Sequence, residues 1–222
     1  MFTTDTLRPQ RRLLGAQPAL AMSGGRMAMR ALILAGVLLT VACAGRAPQG
    51  EQEPLTMMAG VRCGVERWSV KTLTDPEASQ VNLTPTPSTV EDLTALPVPD
   101  GFGRDAGRLP PELQTYTVAA TLVEFKEEAD SDIHLVIHGS SGQSMIAEIP
   151  DPQCAQGSRV LSQISGARAQ FVAKFGQPSL TSWTRVNAPI TVEGVLFFDV
   201  PHGQTGVATN AIELHPVLEI AP

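Results

Sequence analysis

The stretch "DIHLVIHGSSGQSMIAEIP" (132–150) decides the fold, because two runs of alternating apolar and polar residues flank a short turn. Residues two positions apart in a strand point to the same face of a sheet. If the turn centres on Ser141, the two runs form a hairpin that brings six apolar residues together on one face. These residues are Ile133, Leu135, Ile137, Met145, Ala147 and Ile149. A slip of one residue would separate the two apolar sets, so the register is specified.

The opposite face carries His134, Val136 and His138 on one strand and Ser144, Ile146 and Glu148 on the other. In the same register His134 lies directly opposite Glu148, close enough for a cross-strand contact, and His138 follows on the same strand. The face is either a site or a solvated sheet surface. His215, on the last predicted strand, is interpreted as an ordinary packed or solvated residue.

The flanking sequence supplies the other elements of a small barrel. Residues 115–125, 189–200 and 211–220 are β-rich, and residues 158–176 carry apolar residues at helical spacing. The resulting order, β-β-β-α-β-β, is that of the OB-fold, a five-stranded Greek-key barrel. The sequence therefore predicts a mainly β (α+β) fold for residues 115–222: an OB-fold-like five-stranded barrel with one helix between strands 3 and 4. Other small α+β barrels and rolls are the alternatives.

Residues 61–114 are predicted to be an irregular extension that packs on this domain. The alternation in "WSVKTL" (68–73) predicts a short strand. Ser88 and Glu91 have the spacing of a capping box and predict a short helix. In the domain itself, Ser158 is the predicted N-cap of the longer helix.

Residues 1–43 are predicted to be a signal peptide. Arg26 and Arg30 precede an apolar run, residues 31–42, which has the length of a signal h-region and is short for a membrane span. A start at one of the methionines within residues 22–29 would give a signal of usual length.

Cys43 lies at the end of this signal in "LLTVACAG" (38–45), which resembles the lipobox of bacterial lipoproteins, where the cysteine becomes a lipidated N-terminus. Ordinary cleavage after Ala44 is the alternative. Lipidation is preferred because a cysteine at this position is otherwise rare. Residues 44–60 then form a flexible tether.

The other two cysteines, Cys63 and Cys154, are an even pair in a chain predicted to be exported. Such a pair is most simply a disulfide. The bond would close a loop of about ninety residues and stabilise the fold by roughly 4 kcal/mol on the chain-entropy model. Two buried free thiols are the alternative.

The charge of the chain argues against one class of partner. The first 43 residues carry five arginines and one acid, so the remainder has 11 basic and 21 acidic residues. A domain this acidic repels phosphate backbones and anionic lipid head groups. Binding to nucleic acid is therefore disfavoured.

The predicted fold also predicts where a ligand binds. OB-folds use the face of strands 2 and 3, with the loops between strands 1 and 2 and between strands 4 and 5. The first loop is residues 126–132, and the second is residues 201–210. The predicted binding residues are His134, His138, Glu148, His202, Gln204 and Asn210.

The same polar face permits two further interpretations. Imidazoles and carboxylates can hold a divalent metal, and the predicted set is Asp132, His134, Glu148 and His202, with Asp130 able to replace Asp132. A His–Glu pair can also act in acid–base chemistry. No short metal motif such as H-E-x-x-H is present.

Four motifs together resemble a group of exported bacterial proteins with an OB-like domain. They are "CGVERWSVKTLTDP" (63–76), "DSDIHLVI" (130–137), "MIAEIPDPQC" (145–154) and "GVLFFDVPHGQTGVATNAIELHPV" (194–217). The resemblance covers nearly all of the chain after the signal peptide. It implies one exported domain and implies no particular activity.

A weaker resemblance is to the OB domains of the thermonuclease (staphylococcal nuclease-like) family, in which a "DGDT" turn leads into a hairpin that ends in a "VDTPE"-like stretch. "DSDI" (130–133) and "EIPD" (148–151) lie in comparable places. The resemblance implies calcium-site carboxylates at Asp132, Glu148 and Asp151. The family also has an arginine at the start of the second hairpin strand, which this chain lacks. Without it, charge that develops on a phosphate is not stabilised.

These observations predict an exported, lipid-anchored, OB-like binding domain that is noncatalytic. Its expected partners are the membrane, through the lipid on Cys43, and a protein or glycan on the polar face. One alternative is a metal-dependent hydrolase related to a degenerate thermonuclease, and another is a structural envelope lipoprotein. No cofactor is predicted, apart from the divalent metal of the hydrolase alternative.

Overall fold

The computed structural model describes residues 54–58 and 60–221. Arg46–Pro222 forms one compact unit. The predicted signal peptide, Cys43 and most of the predicted tether lie outside the described residues and stay predictions. Within the described part, no helix is both long enough and apolar enough to cross a membrane.

The described residues form eight strands and three α-helices. The strands are β1 (Leu55–Met58), β2 (Val61–Gly64), β3 (Asn82–Ser88), β4 (Gln114–Glu127), β5 (Ile133–His138), β6 (Ser144–Ile149), β7 (Thr184–Phe198) and β8 (Ile212–Ala221). The helices are α1 (Trp68–Lys71), α2 (Val90–Thr94) and α3 (Leu161–Phe175), and 3-10 turns lie at Ala78–Gln80 and Pro110–Leu113.

Strands β3 to β8 form a six-stranded sheet that contains a ring. The order in the sheet is β3-β4-β5-β6-β8-β7, and β4 also pairs with β7. The pairings therefore run from β4 through β5, β6, β8 and β7 back to β4. The single long helix, α3, connects β6 to β7. The mainly β class of the prediction is confirmed, and β1 and β2 form a separate two-stranded sheet.

The β5–β6 hairpin has the register expected from its sequence. Ile133 pairs with Ile149, and His134 pairs with Glu148. The turn brings Gly139 opposite Gln143. The backbone N–H of Gly139 donates to the Gln143 carbonyl. The six apolar residues of the hairpin all belong to the main hydrophobic core inside the ring.

A second, smaller core lies between the ring and the segment that precedes it. It contains Leu73 and Val81 from that segment, Val160 just before α3, Ile164 in α3, and Val195 from β7. Residues 61–114 thus cover one side of the ring through apolar packing. The stabilisation follows from apolar area removed from water.

Three local predictions need correction. The "WSVKTL" segment is not a strand but contains helix α1, because the chain turns directly after β2 and Trp68 packs back on Gly64. Helix α2 is capped by Thr89 rather than Ser88, since the Thr89 side chain accepts the Asp92 N–H. Helix α3 begins at Leu161, and the Ser158 hydroxyl accepts the Val160 N–H in the turn before it.

The predicted disulfide is confirmed. Cys63 and Cys154 are bonded, with their Cα atoms 5.6 Å apart. The bond links β2 to the segment between β6 and α3. The Trp68 indole N–H donates to the Cys154 carbonyl at 2.9 Å, so the disulfide and α1 both attach to this segment.

Candidate functional site

The polar face of the β5–β6 hairpin is buried and is not a solvated sheet surface. His134 is 0% exposed and Glu148 is 7% exposed. Their apolar neighbours on this face, Val136 and Ile146, are 3% and 2% exposed. Something other than water therefore covers the outside of the ring at this hairpin.

One cover is the loop between β7 and β8. The Thr205 carbonyl lies 2.8 Å from His134 Nε2, and the Ser144 hydroxyl donates to the Gly206 carbonyl at 2.8 Å. Gly206 has φ +90°, and a Cβ at this position would lie 2.9 Å from the Val136 methyl carbons. Glycine is required here because the backbone lies directly on the sheet.

The second cover is the segment that contains α1. The Trp68 ring meets His215 edge to face, with ring centroids 6.3 Å apart. Lys71, also from α1, is 1% exposed, and its Nζ lies 3.6 Å from Asp199 Oδ1. Residues distant in sequence thus enclose polar groups of β6 and β8.

A buried ionic cluster lies beneath these covers. We use this name for Asp132, His134, Glu148, Glu213 and His215, all of which are buried. Glu148 is its centre, because each of its carboxylate oxygens contacts a different imidazole. Oε1 lies 2.8 Å from His134 Nδ1, and Oε2 lies 3.1 Å from His215 Nδ1.

The contacts of His134 favour a ring that is protonated on both nitrogens. Its partners are the Glu148 carboxylate on Nδ1 and the Thr205 carbonyl on Nε2, and both are acceptors. Burial alone lowers the pKa of His134, but the hydrogen bond to Glu148 and the charges of Glu148 and Glu128 raise it above its ordinary value. The imidazolium therefore ties the β7–β8 loop to the sheet.

His215 is enclosed by three carboxylates. Its Nδ1 lies 3.1 Å from Glu148 Oε2 and 3.1 Å from Glu213 Oε1, and its Nε2 lies 3.3 Å from Asp132 Oδ2. Burial opposes the charged form, yet these carboxylates raise the pKa of His215 well above its ordinary value. Neither Asp132 Oδ2 nor His215 Nε2 has a hydrogen bond of good geometry within the described residues.

The pKa values of the buried carboxyl groups shift in opposite directions. Burial opposes ionisation of Glu148, but hydrogen bonds from His134 and His215 hold its pKa well below its usual range. Burial and the charges of Glu148 and Asp199 raise the pKa of Glu213 to about 7. Burial also raises the pKa of Asp132. Glu148 is thus the permanent anion of the cluster.

The cluster fits an ion-pair chain better than a metal centre. Ligand atoms of Asp132, Glu148 and His215 lie within 4.8 Å of one another. However, the closest approaches of Asp132 and Glu148 are to opposite nitrogens of the same ring. One ion can bind only one of these nitrogens, and Zn²⁺ sites use three or four ligands around one point.

A cleft of about 450 Å³ opens above His134 and Glu148. The loop at Glu128–Asp130 and the loop at His202–Thr205 form two of its sides, and Arg62, Lys71 and Trp183 complete it. These two loops are the ones that the sequence analysis expected to surround a ligand. The volume is within the range of small-molecule sites.

The structure brings four of the six predicted binding residues to this cleft. His134 and Glu148 lie at its floor, and His202 and Gln204 lie on its side. Both loop residues contact Asp199: His202 Nε2 lies 3.6 Å from Oδ2, and the Gln204 amide donates to Oδ2 at 2.8 Å. Burial opposes ionisation of Asp199, but Lys71 and His202 lower its pKa overall.

The other two predicted binding residues lie elsewhere. His138 is half-buried at the end of β5 and pairs with Ser144, outside the cleft lining. Asn210 is buried, and its amide donates to the Leu93 and Leu96 carbonyls at 3.0 Å. Asn210 therefore connects the β7–β8 loop to α2.

The predicted metal residues do not meet at one point. Asp132 contacts His215 rather than His134, and His202 contacts Asp199. Sequence analysis missed His215 and Glu213 as members of the cluster. Strand parity could have found them, because Ile212 and Leu214 face the main core and the residues between and after them face outward.

The chain matches no known protein-family profile, and no curated protein shows significant sequence similarity to it. Its function is therefore argued from the cleft and the ionic cluster.

Proposed function

We propose that the protein is an exported, lipid-anchored binding domain of OB type that holds a ligand in the cleft above His134 and Glu148 and does not catalyse a reaction. Lipidation of Cys43 would hold the domain at a membrane surface. The ring order and the position of α3 between its third and fourth strands support the OB assignment, since an OB-fold has this element order.

One observation carries the binding function: a cleft with a preformed polar floor lies between the two loops that this fold uses for ligands. The floor is rigid because His134 is bonded through both nitrogens and Glu148 through both oxygens. A general base needs a proton-accepting atom within reach of a substrate. Both ring nitrogens of His134 already contact groups of the protein, so neither is available to accept a proton from a substrate.

Binding can be measured through Trp183, which lines the cleft. The test protein is the oxidised unit Arg46–Pro222, and the probes are peptidoglycan fragments and short peptides. We expect at least one probe to change the tryptophan fluorescence in a saturable way that persists in EDTA. The change should be lost in Trp183→Phe and kept in Trp68→Phe. If no probe gives such a change, the binding proposal fails.

The hydrolase alternative is favoured by one observation, the proximity of Asp132, Glu148 and His215. Thermal melting in EDTA, in calcium and in zinc separates it from the binding proposal. Our proposal predicts melting temperatures that agree in all three. A large upward shift for one metal, lost in Glu148→Gln, would favour the hydrolase.

Anchoring is tested separately, on the full chain expressed in a bacterium. The mass of the N-terminal peptide should include a diacylglycerol on Cys43, and Cys43→Ala should leave the membrane fraction. An unmodified N-terminus would contradict the lipid anchor and would leave the cleft proposal intact.

A further inference from the structure

The β1–β2 hairpin extends one wall of the cleft outward. Leu55 and Arg62 line the cleft. Met57 pairs with Arg62, and cross-strand partners point to the same face of a sheet. Leu55 and Met57 are two positions apart and share that face as well. The apolar strip formed by Leu55 and Met57 therefore continues the wall beyond the polar floor.

This apolar strip is exposed to solvent. Met57 is 63% exposed and Leu55 is 40% exposed, in a two-stranded sheet that is separate from the main one. Exposed apolar residues next to a polar cleft indicate a binding surface. Methionine is flexible and adapts its shape to an apolar partner, so this strip suits an alkyl chain.

The cleft itself carries charges of both signs. Its cations are Arg62, Lys71 and Lys126, and its carboxylates include Glu128, Asp130 and Asp199. Arg62 is exposed, and within residues 54–58 and 60–221 its guanidinium makes no hydrogen bond or ion pair. A guanidinium in this position suits a phosphate, which it can bind through two parallel hydrogen bonds.

We propose that the ligand of this cleft is a lipid whose head group carries both a phosphate and an amine. The phosphate pairs with Arg62, the amine faces the carboxylates of the Glu128–Asp130 loop, and an acyl chain lies along Leu55 and Met57. The inference rests on the proposed binding function and names its ligand class.

The position of the hairpin in the chain supports a membrane source for this lipid. Leu55 follows Cys43 by twelve residues. A fully extended chain of that length spans about 40 Å. A lipid on Cys43 would therefore keep the cleft wall within about 40 Å of the bilayer, where such lipids are abundant.

Three soluble probes separate the parts of the proposed ligand. They are decanoyl lysophosphatidylethanolamine below its micelle concentration, glycerophosphoethanolamine as the head group alone, and decyl maltoside as a chain without phosphate or amine. We expect calorimetric titration of oxidised Arg46–Pro222 to show the lysolipid binding at least tenfold more tightly than either of the others. Equal binding of all three, or tighter binding of the maltoside, would overturn the proposal.

Surface substitutions then locate the two contacts. Met57→Gln should weaken lysolipid binding at least fivefold and leave the head group alone unaffected. Arg62→Gln should weaken both. Val98→Gln is the matched control, because Val98 is 48% exposed and does not line the cleft. Equal loss in the control and in Met57→Gln would contradict the assignment.

The failures of the two proposals can be told apart. If the lysolipid does not bind but a glycan or peptide still changes the Trp183 fluorescence, the lipid class is overturned and the binding cleft is retained. If no probe of any class binds, both proposals are overturned.

Discussion

The two faces of the β5–β6 hairpin are buried to the same degree by different means. The inner face packs Leu135 and Ile137 in the main core inside the ring, and both are 0% exposed. The outer face encloses His134 and Glu148 under chain segments from far away in sequence. The inner face is stabilised by apolar area, and the outer face by compensated charge.

Alternation in a strand shows that its two faces differ in polarity. It does not show which face contacts water. An apolar face must be buried, but a polar face is buried only if another segment supplies partners. Here the partners are the Thr205 carbonyl, which contacts His134, and the His215 ring, which contacts Glu148.

Removing the Glu148 carboxylate should strongly destabilise the outer face of the hairpin. Glu148→Leu leaves the imidazolium groups of His134 and His215 without their shared carboxylate, so we expect a loss of about 3–5 kcal/mol in the free energy of unfolding. Urea denaturation at pH 7 measures this loss. Glu219→Leu, at an exposed position of β8, is the control and should cost less than about 0.5 kcal/mol. Similar values for the two variants would contradict the buried ionic cluster.

Truncation of neighbouring apolar residues compares the faces directly. We expect Leu135→Ala on the inner face to cost about 2–5 kcal/mol. Val136→Ala on the outer face should cost about 2 kcal/mol, because Val136 is 3% exposed and lies against Gly206. A cost below about 0.5 kcal/mol for Val136→Ala would mean that the outer face is open to water.

The burial of Glu213 predicts a pH dependence. Its pKa is raised from 4.5 to about 7, so the folded protein binds more protons than the unfolded chain between these values. The contribution of Glu213 to the free energy of unfolding should therefore fall as pH rises from about 4.5 to about 7. Glu213→Gln should reduce that fall, as measured by urea denaturation across the pH range. A variant with the same pH profile as the parent would exclude this role.

The smallest expected effect concerns the cover of the outer face. Ser144→Ala removes the hydrogen bond to the Gly206 carbonyl and should cost about 1 kcal/mol. Hydrogen exchange in the β7–β8 loop should become faster. Ser140→Ala, at an exposed turn position, should leave exchange in that loop unchanged.

The sequence allowed the hairpin, its register and the disulfide to be predicted, because each depends on a local pattern or on simple pairing. The type of a short element was harder to predict. Trp68 belongs to a helix, although apolar and polar residues alternate around it as in a strand. Local propensity was overridden there by packing of the indole on Gly64 and by its hydrogen bond to the Cys154 carbonyl.

The candidate site was only partly predictable for a related reason. His134, Glu148, His202 and Gln204 follow from strand parity and from the positions of two loops. Lys71 and Trp183 reach the same cleft from other segments, and no local pattern assigns either residue to it. Their positions depend on how distant segments pack on the ring, and no spacing within the chain encodes that contact.

We infer that His134 and His215 are buried imidazolium ions held by carboxylates. Nitrogen-15 NMR of the histidine side chains, recorded from pH 5 to pH 9 with and without EDTA, tests it most directly. We predict that both rings keep protons on both nitrogens at pH 7 and that EDTA and zinc leave their shifts unchanged. A neutral ring at pH 7, or a ring nitrogen whose shift moves on addition of zinc, would contradict the account and would point to a metal site.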